Sequence, residues 1–140
     1  ENRVTARAAA LFGTEVDARD IPDLIPAIAV LACSAPGTTV IKNAGRLRLK
    51  ESDRLFTILD TLKKLGANIS ESENTLMIKG SRLAGGYVDS HNDHRIAMMA
   101  SIASVISDGS ITITKAEAVG KSYPGFFDDF KMLGGSIRKE

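Results

Sequence analysis

Two stretches of this 140-residue chain follow one plan of helix, strand, loop, helix and strand. Landmark residues recur at nearly constant offsets: Asp93 follows Asp23 by 70 residues, Lys121 follows Lys50 by 71, and Gly134 follows Gly66 by 68. Self-similarity at a fixed period indicates a duplicated structural unit. We therefore predict two units, spanning approximately residues 17–80 and 87–140, and an α/β fold in which helices pack on sheets of short strands.

The predicted helices fall into two kinds. Pro22–Ala32 and Asp93–Ser107 are apolar on nearly every face, which is typical of buried helices. Ser52–Leu65 instead carries its apolar residues at three- and four-residue spacing, which predicts a single buried stripe. Ser52 is a candidate N-cap for this helix, and Gly66 follows it as a C-terminal stop.

Turn residues mark the remaining elements. Asn68–Ser72 and Thr75–Lys79 are separated by two residues, which predicts a β-hairpin. In the second unit Ser122 is a candidate N-cap, and Pro124 suits the first turn of the helix that follows. Gly134-Gly135 predicts the end of that helix.

The charge balance narrows the class of partner. Eighteen Lys and Arg against 17 Asp and Glu give a formal net charge of +1. Nucleic acids and anionic membranes usually select a clear excess of basic charge. We therefore expect neither nucleic acid nor a membrane as the main partner.

The sequence also bears on the cellular compartment of the protein and on whether the chain is complete. No apolar run approaches the ~20 residues that cross a bilayer, and no signal peptide is visible. The single cysteine, Cys33, cannot form an internal disulfide, so we expect a reduced, cytoplasmic protein. The chain opens at Glu1 rather than at a methionine, and we expect it to be a piece of a longer protein.

The segment Lys50-Glu51-Ser52-Asp53-Arg54 joins a strand to the start of a helix. Free N–H groups and the helix dipole favour an anion at such a start. The guanidinium of Arg54 can hold a phosphate or a carboxylate through two hydrogen bonds. The segment is therefore a candidate anion site, and the alternative is a capped helix with a solvated cluster of charges.

Asp93-His94-Arg95 opens the next apolar helix. Arg95 opposes the helix dipole unless an anion is bound there, so the triad is a second candidate site. In the alternative, Asp93 caps the helix while the other two side chains face water. A zinc site is disfavoured, because no cysteine pair or second histidine cluster completes a ligand set around His91 and His94.

Asp23 and Lys121 lie beside the same kinds of helix start. Asp23 either caps the helix that follows it or, beside a lysine, acts as a base or holds a substrate hydroxyl. Lys121 alone would be a surface residue, but the repeat gives it the place that Lys50 takes in the first unit. Equivalent helices would direct one group of side chains toward a related edge: Lys50, Arg54, His94, Arg95 and Lys121. Cys33 lies within an apolar helix and is predicted to be a core residue rather than a nucleophile.

Four motifs, in one order and spacing, resemble the 5-enolpyruvylshikimate-3-phosphate synthase family: IPDLIPAIAVLA, LRLKESDRL, NDHRIAM and VGKSYPGFFDD. The resemblance runs from about Asp17 to Gly135 and corresponds to the C-terminal third of that enzyme. It implies an α/β architecture of two lobes, each built from three βαβαββ-type units. This chain would then hold tandem units from part of one lobe.

The resemblance also implies an activity. Enzymes of this family transfer an enolpyruvyl group from phosphoenolpyruvate to the 5-hydroxyl of shikimate 3-phosphate and release phosphate. The reaction belongs to the shikimate pathway of aromatic amino-acid biosynthesis and uses no metal or organic cofactor. The chemistry suits the residues, because two phosphorylated substrates need several fixed cations, and proton transfer needs an acid and a base.

Four positions match family residues on the shikimate side of the site. Asp23 matches the acidic residue that binds shikimate hydroxyls and accepts a proton. Lys50 matches the lysine that contacts shikimate 3-phosphate, and Glu51 matches a glutamate proposed to shuttle protons. Asn43 matches a substrate-binding asparagine, although the loop from Asn43 to Lys50 is longer than in some members.

Four further positions match the phosphoenolpyruvate side. Arg54, Arg95 and Lys121 match the basic residues that hold phosphoenolpyruvate, and His94 matches the histidine beside them. The candidate catalytic residues are accordingly Asp23, Glu51, His94 and Lys121.

The resemblance has consequences for partners and for activity. In this family the active site closes between two lobes, so the missing N-terminal lobe is an expected partner. We expect the chain to fold without turning over substrate, and to self-associate through apolar surface where the rest of the enzyme would pack. Two alternatives stay open. One is a fragment of the related enolpyruvyl transferase that acts on UDP-N-acetylglucosamine, which KESDR and DHRIAM fit less well; the other is a non-catalytic anion-binding module.

Overall fold

The computed structural model describes residues 3–5 and 7–139. Four α-helices and six strands account for its regular structure, together with short 3₁₀ segments. The strands are β1 (Glu15–Asp17), β2 (Thr38–Lys42), β3 (Asn68–Ser72), β4 (Thr75–Lys79), β5 (Gly86–Asp89) and β6 (Ile111–Thr114). The helices are α1 (Ile25–Ser34), α2 (Arg54–Lys64), α3 (His94–Ala103) and α4 (Phe126–Met132). The 3₁₀ segments are Ala44–Leu49, Ser104–Ile106 and Ala116–Lys121.

The first half of the chain forms a four-stranded mixed sheet in the order β1-β2-β4-β3. β1 runs parallel to β2, while β4 pairs antiparallel with both β2 and β3. The hairpin predicted from the sequence is confirmed, with Glu73 and Asn74 at φ values of 48° and 62°. Two consecutive left-handed residues are typical of the type I′ turn that matches the twist of a two-residue hairpin.

The second half forms only a two-stranded sheet, in which β5 and β6 run parallel. Their register pairs Gly86 with Ile111 and Asp89 with Thr114. Parallel strands need a crossover connection, and α3 supplies it here. α3 also packs against α1 and α2, so the two halves share one core.

Helix α2 has the single buried stripe that its sequence predicts. Leu55, Ile58 and Leu62 are fully buried, whereas Phe56 on the other face is half-exposed. Gly66 ends the helical region with φ of 90°, the left-handed conformation that glycine adopts without strain. α1 is less enclosed than predicted, because Leu31 remains half-exposed although most of the helix is buried.

Several helix starts differ from the sequence prediction. α1 begins at Ile25 rather than at Pro22, and α4 begins at Phe126 with Gly125, not Ser122, as its N-cap. α2 is capped by Asp53, whose Oδ1 accepts a hydrogen bond from the Phe56 amide at 3.0 Å. The Ser52 hydroxyl is committed elsewhere, since it donates to Asp93 in the following half of the chain at 2.9 Å. The predicted Ser52 and Ser122 caps are therefore wrong.

The division into units 17–80 and 87–140 remains a prediction, and parallel local features support it. The backbone N–H of Ala18 donates to Lys42 O, and that of Ser90 donates to Thr114 O, just beyond the paired strands of each half. A left-handed residue then follows the second strand of each pair and precedes a 3₁₀ helix. These residues are Asn43 and Lys115, with φ values of 58° and 55°.

Candidate anion-binding site

The site begins where α2 starts. The 3₁₀ helix Ala44–Leu49 leads into an extended Lys50, and Asp53 then caps the helix. Lys50 projects its Nζ to within 3.3 Å of Asp23 Oδ1, on the segment that precedes α1. The predicted cationic segment, residues 50–54, therefore lies next to the start of α1.

Arg54 is the centre of the cluster. Its side chain is 0% exposed, and its guanidinium contacts carboxylates from three separate segments. Nε donates to Asp93 Oδ2 at 3.0 Å and Nη2 to Asp93 Oδ1 at 3.2 Å. Nη1 donates to Asp23 Oδ1 at 2.9 Å, and Nη2 also donates to Glu51 Oε2. An arginine is almost never fully buried unless it is paired, and the three carboxylates meet that requirement.

Asp23 does not cap α1. The N-cap residue is Leu24, which makes no side-chain hydrogen bond. The Asp23 carboxylate instead forms ion pairs with Lys50, Arg54 and Arg95. Burial acts to raise the pKa of Asp23, but the hydrogen bonds from Lys50 and Arg54 and the charges of Arg95 and Lys50 outweigh it. The pKa is therefore held below its ordinary value. Its side chain remains 47% exposed, which leaves it open to a ligand.

Asp93 is the buried counterpart at the start of α3. It caps the helix by accepting a hydrogen bond from the Arg95 amide at 2.9 Å, as the capping alternative predicts. The same carboxylate accepts hydrogen bonds from Ser52 and from Arg54. Burial acts to raise the pKa of Asp93, yet its bonds to Arg54, Arg95 and Ser52 bring that pKa below the ordinary value.

Arg95 shows how a cation is accommodated at a helix N-terminus. Its Nη1 donates to the Asp23 backbone oxygen at 3.1 Å, and its Nη2 lies 3.4 Å from Asp23 Oδ2. The Asp23 carboxylate thus supplies the negative charge that offsets the unfavourable helix dipole. About a third of the Arg95 side chain is exposed, so part of this cation faces solvent.

His94 and Lys121 border the cluster. His94 is nearly buried, so the alternative in which it faces water is wrong. Its Nδ1 lies 4.0 Å from Asp93 Oδ1 and has no hydrogen-bond partner among the described residues. Lys121, the last residue of a 3₁₀ helix, is exposed and donates from Nζ to Asn92 O at 2.6 Å. That contact brings Lys121 to the loop that leads into α3.

Asn43 lies apart from this cluster. It is exposed and lines a shallow groove with Arg19, Arg46 and Asn74 among others. That groove is lined neither by Arg54 nor by the five charged residues of its cluster, Asp23, Lys50, Glu51, Asp93 and Arg95. The structure therefore brings Asp23, Lys50, Glu51, Arg54 and Arg95 together, places His94 and Lys121 at their border, and separates Asn43.

Cys33 is the remaining side chain whose environment the sequence predicts. Cys33 lies in the core as predicted, 1% exposed, and burial raises the pKa of its thiol to about 11.

Within residues 3–5 and 7–139, no group of three or more His, Cys, Asp or Glu side chains is arranged to hold a metal ion. The same residues contain no helix long and apolar enough to cross a membrane.

The cluster is electrically balanced in this arrangement. Three cations, Lys50, Arg54 and Arg95, meet three carboxylates, Asp23, Glu51 and Asp93. Asp23 and Glu51 are half-exposed, whereas Asp93 is fully buried. An incoming anion can therefore exchange for the exposed carboxylates, and charge-assisted hydrogen bonds from the cations would hold it.

The sequence does not predict the contacts that Asp93 makes with Ser52 and with Arg54. It offers Asp93 as part of a candidate site or as a helix cap, and Ser52 as the cap of α2. Their contacts join positions 39 and 41 residues apart along the chain, so no local pattern reports them.

Comparison with known proteins agrees with these motifs. A sequence model of the family described as EPSP synthase (3-phosphoshikimate 1-carboxyvinyltransferase) matches residues 1–130. A Clostridioides difficile protein named 3-phosphoshikimate 1-carboxyvinyltransferase is 53% identical over 138 residues, which is 97% of this chain and 32% of that protein. A protein of the same name from Methanocella arvoryzae is 46% identical over 134 residues, covering 96% of this chain and 32% of its own length.

Solved structures give the same result. EPSP synthase from Acinetobacter baumannii superposes with a TM-score of 0.86 at 35% identity, covering 92% of this chain and 32% of that one. The mixed α/β fold is accordingly that of part of one EPSP synthase lobe, and the chain spans about a third of the length of the relatives it matches. With a family match over almost the whole sequence, this chain belongs to the EPSP synthase (3-phosphoshikimate 1-carboxyvinyltransferase) family.

Proposed function

We propose that this chain is the anion-binding part of an enolpyruvyl transferase. The reaction is transfer of the enolpyruvyl group of phosphoenolpyruvate to the 5-hydroxyl of shikimate 3-phosphate, with release of phosphate, within the shikimate pathway and in the cytoplasm. The observation that carries the proposal is the convergence of Lys50, Arg54 and Arg95 on the half-exposed carboxylate of Asp23. Both substrates are anions, and positioned cations stabilise such charge.

Each cluster residue has a proposed role. Asp23 binds shikimate hydroxyls and accepts the proton of the 5-hydroxyl, while Lys50 holds the phosphate of shikimate 3-phosphate. Arg54, Arg95 and Lys121 hold phosphoenolpyruvate. Glu51 and His94 take part in proton transfer, and Lys121 joins them as a candidate catalytic residue.

Asn43 has the least support as a substrate-binding residue. It matches the family position in type, but its groove is separate from the contacts that join the other residues. Its proposed role therefore requires a substrate that reaches from the Arg54 cluster to this groove.

Substrate binding would also make Asp23 a stronger base. The cations that hold the pKa of Asp23 down are those proposed to bind the substrates. When substrate anions attract these cations, less positive charge acts on Asp23, so its pKa rises toward its ordinary value. A carboxylate with a higher pKa is a stronger proton acceptor, and Asp23 would become one as the substrates bind.

The chain is proposed to hold only part of a complete site. Because it spans about a third of its relatives, the N-terminal lobe is the proposed partner that contributes further phosphate-binding residues. We expect no turnover by the chain alone. Apolar side chains such as Leu31, Val105 and Leu133 are exposed, and we propose that such surface packs against the rest of the enzyme or drives self-association of the isolated chain.

The family match favours this reaction over the alternatives considered from the sequence. The relatives reported above carry the name of the shikimate enzyme, not that of a transferase acting on UDP-N-acetylglucosamine. A non-catalytic anion-binding module would share the cluster but would not discriminate between the phosphorylated substrates.

Calorimetric titration of the chain tests the proposal. We expect phosphoenolpyruvate and shikimate 3-phosphate to bind, and UDP-N-acetylglucosamine to give no heat at the same concentration. Arg82→Ala is a matched control for variants of the cluster, because Arg82 is exposed and, within the part of the chain that the structure describes, forms an ion pair only with Asp108. Equal binding of all three compounds would support the non-catalytic module, and binding of the UDP-sugar alone would support the other transferase.

A phosphate-release assay tests the activity of the isolated chain. With both substrates present, release should stay at the rate measured without protein. Ordinary turnover would contradict the expectation that a second lobe is required.

A further inference from the structure

The guanidinium of Arg54 has two edges that meet different kinds of carboxylate. The Nε/Nη2 edge faces Asp93, which accepts from both nitrogens at 3.0 and 3.2 Å. The Nη1/Nη2 end faces Asp23 and Glu51. A guanidinium can hold one planar anion on each edge, so the two edges can have separate functions.

Asp93 is fixed on its side of Arg54. Its carboxylate is 0% exposed and each of its oxygens accepts two hydrogen bonds. Beside the two from Arg54, Ser52 donates to Oδ2 and the Arg95 amide donates to Oδ1. Displacement of Asp93 would leave these donors unpaired in the interior, which is strongly unfavourable.

The carboxylates at the other end of Arg54 are replaceable. The side chains of Asp23 and Glu51 are 47% and 46% exposed, so water can solvate them when they leave the guanidinium. An arriving carboxylate or phosphate would take over the N–H groups of the Nη1/Nη2 end. Arg54 would keep its position during this exchange only if the opposite edge stays bound.

We propose that Asp93 is a positioning residue that holds Arg54 by its Nε/Nη2 edge and the first turn of α3 by the Arg95 amide, so that the opposite end of Arg54 exchanges Asp23 and Glu51 for an anionic substrate. The inference rests on the proposed function for the nature of that substrate. In this arrangement Arg54 has one permanent partner, Asp93, and two exchangeable partners, Asp23 and Glu51. The exchange explains how a ligand reaches a guanidinium that is fully buried in the structure. The arrangement also makes Asp93 the connection between two cations located on different helices.

The Nε–H of Arg54 reports this arrangement directly. In the wild-type chain, ¹⁵N NMR should show a resolved Arg54 Nε–H that exchanges slowly with water. Titration with phosphoenolpyruvate should leave that proton protected, because only the other end of the guanidinium changes partner. Loss of its protection upon binding would overturn the proposal, because it would mean that the ligand displaces Asp93.

Two variants separate positioning from general stability. Asp93→Asn keeps the shape of the side chain but removes its charge. Asp53→Asn does the same at the exposed cap of α2, whose carboxylate forms its ion pair with Arg48. We expect Asp93→Asn to lose the protected Nε–H and to weaken phosphoenolpyruvate binding at least tenfold. Asp53→Asn should keep the protected proton and bind within about twofold of wild type.

Ser52→Ala serves if Asp93→Asn fails to fold, since it removes one hydrogen bond to Asp93 Oδ2, together with the bond between Ser52 and Thr57. It should speed Nε–H exchange and weaken binding severalfold, with no such change in Asp53→Asn. Unchanged Nε–H protection and unchanged affinity in the Asp93 or Ser52 variant would overturn the proposal. Absence of phosphoenolpyruvate binding by the wild-type chain would count against the proposed function instead, and the Nε–H comparison among the variants would still decide the role of Asp93.

Discussion

An aspartate precedes an apolar helix in each half of the chain, but the two carboxylates have different environments. Asp93 is the N-cap of α3 and is fully buried, whereas Asp23 lies one residue before the N-cap of α1 and is half-exposed. A shift of one residue relative to the helix start therefore decides what the carboxylate does. The buried one holds the helix and Arg54, and the exposed one collects cations that a ligand can reach.

The largest expected effect is on stability and separates these two aspartates. Asp93→Ala removes a cap and leaves a buried guanidinium without its main partner, which should lower the free energy of unfolding by about 3–5 kcal/mol. Asp23→Ala should lower it by about 1 kcal/mol or less, because a half-exposed ion pair is screened by water. Urea unfolding of both variants measures the difference, and equal losses would contradict the distinction.

The two halves also differ in how their second helices are packed. In α2, Leu62 is fully buried, whereas in α4 only Phe126 is buried and the last residues are exposed. Leu62→Ala should lower the free energy of unfolding by about 2–5 kcal/mol, and Leu133→Ala, just beyond α4, by less than about 0.5 kcal/mol. Similar losses at the two positions would show that α4 is packed as firmly as α2.

Ligand affinity should respond more than stability at Arg95. This cation is a third exposed, and its side chain pairs with the backbone oxygen and the carboxylate of Asp23. Arg95→Ala should weaken phosphoenolpyruvate binding by about tenfold or more, equivalent to about 1.4 kcal/mol, while the melting temperature changes little. Calorimetric titration and a melting curve on the same sample measure both. A large fall in melting temperature with unchanged affinity would make Arg95 a structural residue.

The smallest expected effect is the pH dependence of the two aspartates. The pKa values of Asp23 and Asp93 are both lowered in the folded chain. Their stabilisation is therefore present above the unfolded value of about 3.9 and is lost as pH falls through the folded pKa. Asp93→Asn cannot titrate there, so it should lose less stability than wild type between about pH 4 and pH 2. An identical pH slope in urea unfolding would show that Asp93 contributes nothing to the acid response.

The sequence predicts those parts of the fold that depend on neighbouring residues. The hairpin Asn68–Lys79 is confirmed at its stated bounds, because two adjacent turn residues with left-handed backbone determine it. The stripe of α2 is confirmed as well, because helical periodicity determines which residues face the core.

Contacts between distant segments explain what the sequence did not predict. Ser52 does not cap α2 because its hydroxyl binds Asp93, 41 residues away, and the neighbouring Asp53 is free to cap instead. The complete burial of Arg54 depends in the same way on carboxylates 31 and 39 residues distant. The sequence motifs identify the charged residues of the site. Which of them pair with each other is visible only in the folded structure.

The most direct test of the shared anion site is an NMR titration of the isotopically labelled chain with phosphoenolpyruvate. We predict that the largest backbone amide shifts fall at three helix starts, around Asp23, Glu51, Arg54 and Arg95, with little change at the groove of Asn43 and Arg46. Saturating shifts confined to these helix starts would support a single site built by both halves of the chain. Shifts confined to the Asn43 groove, or absent at the helix starts while the ligand binds, would contradict it.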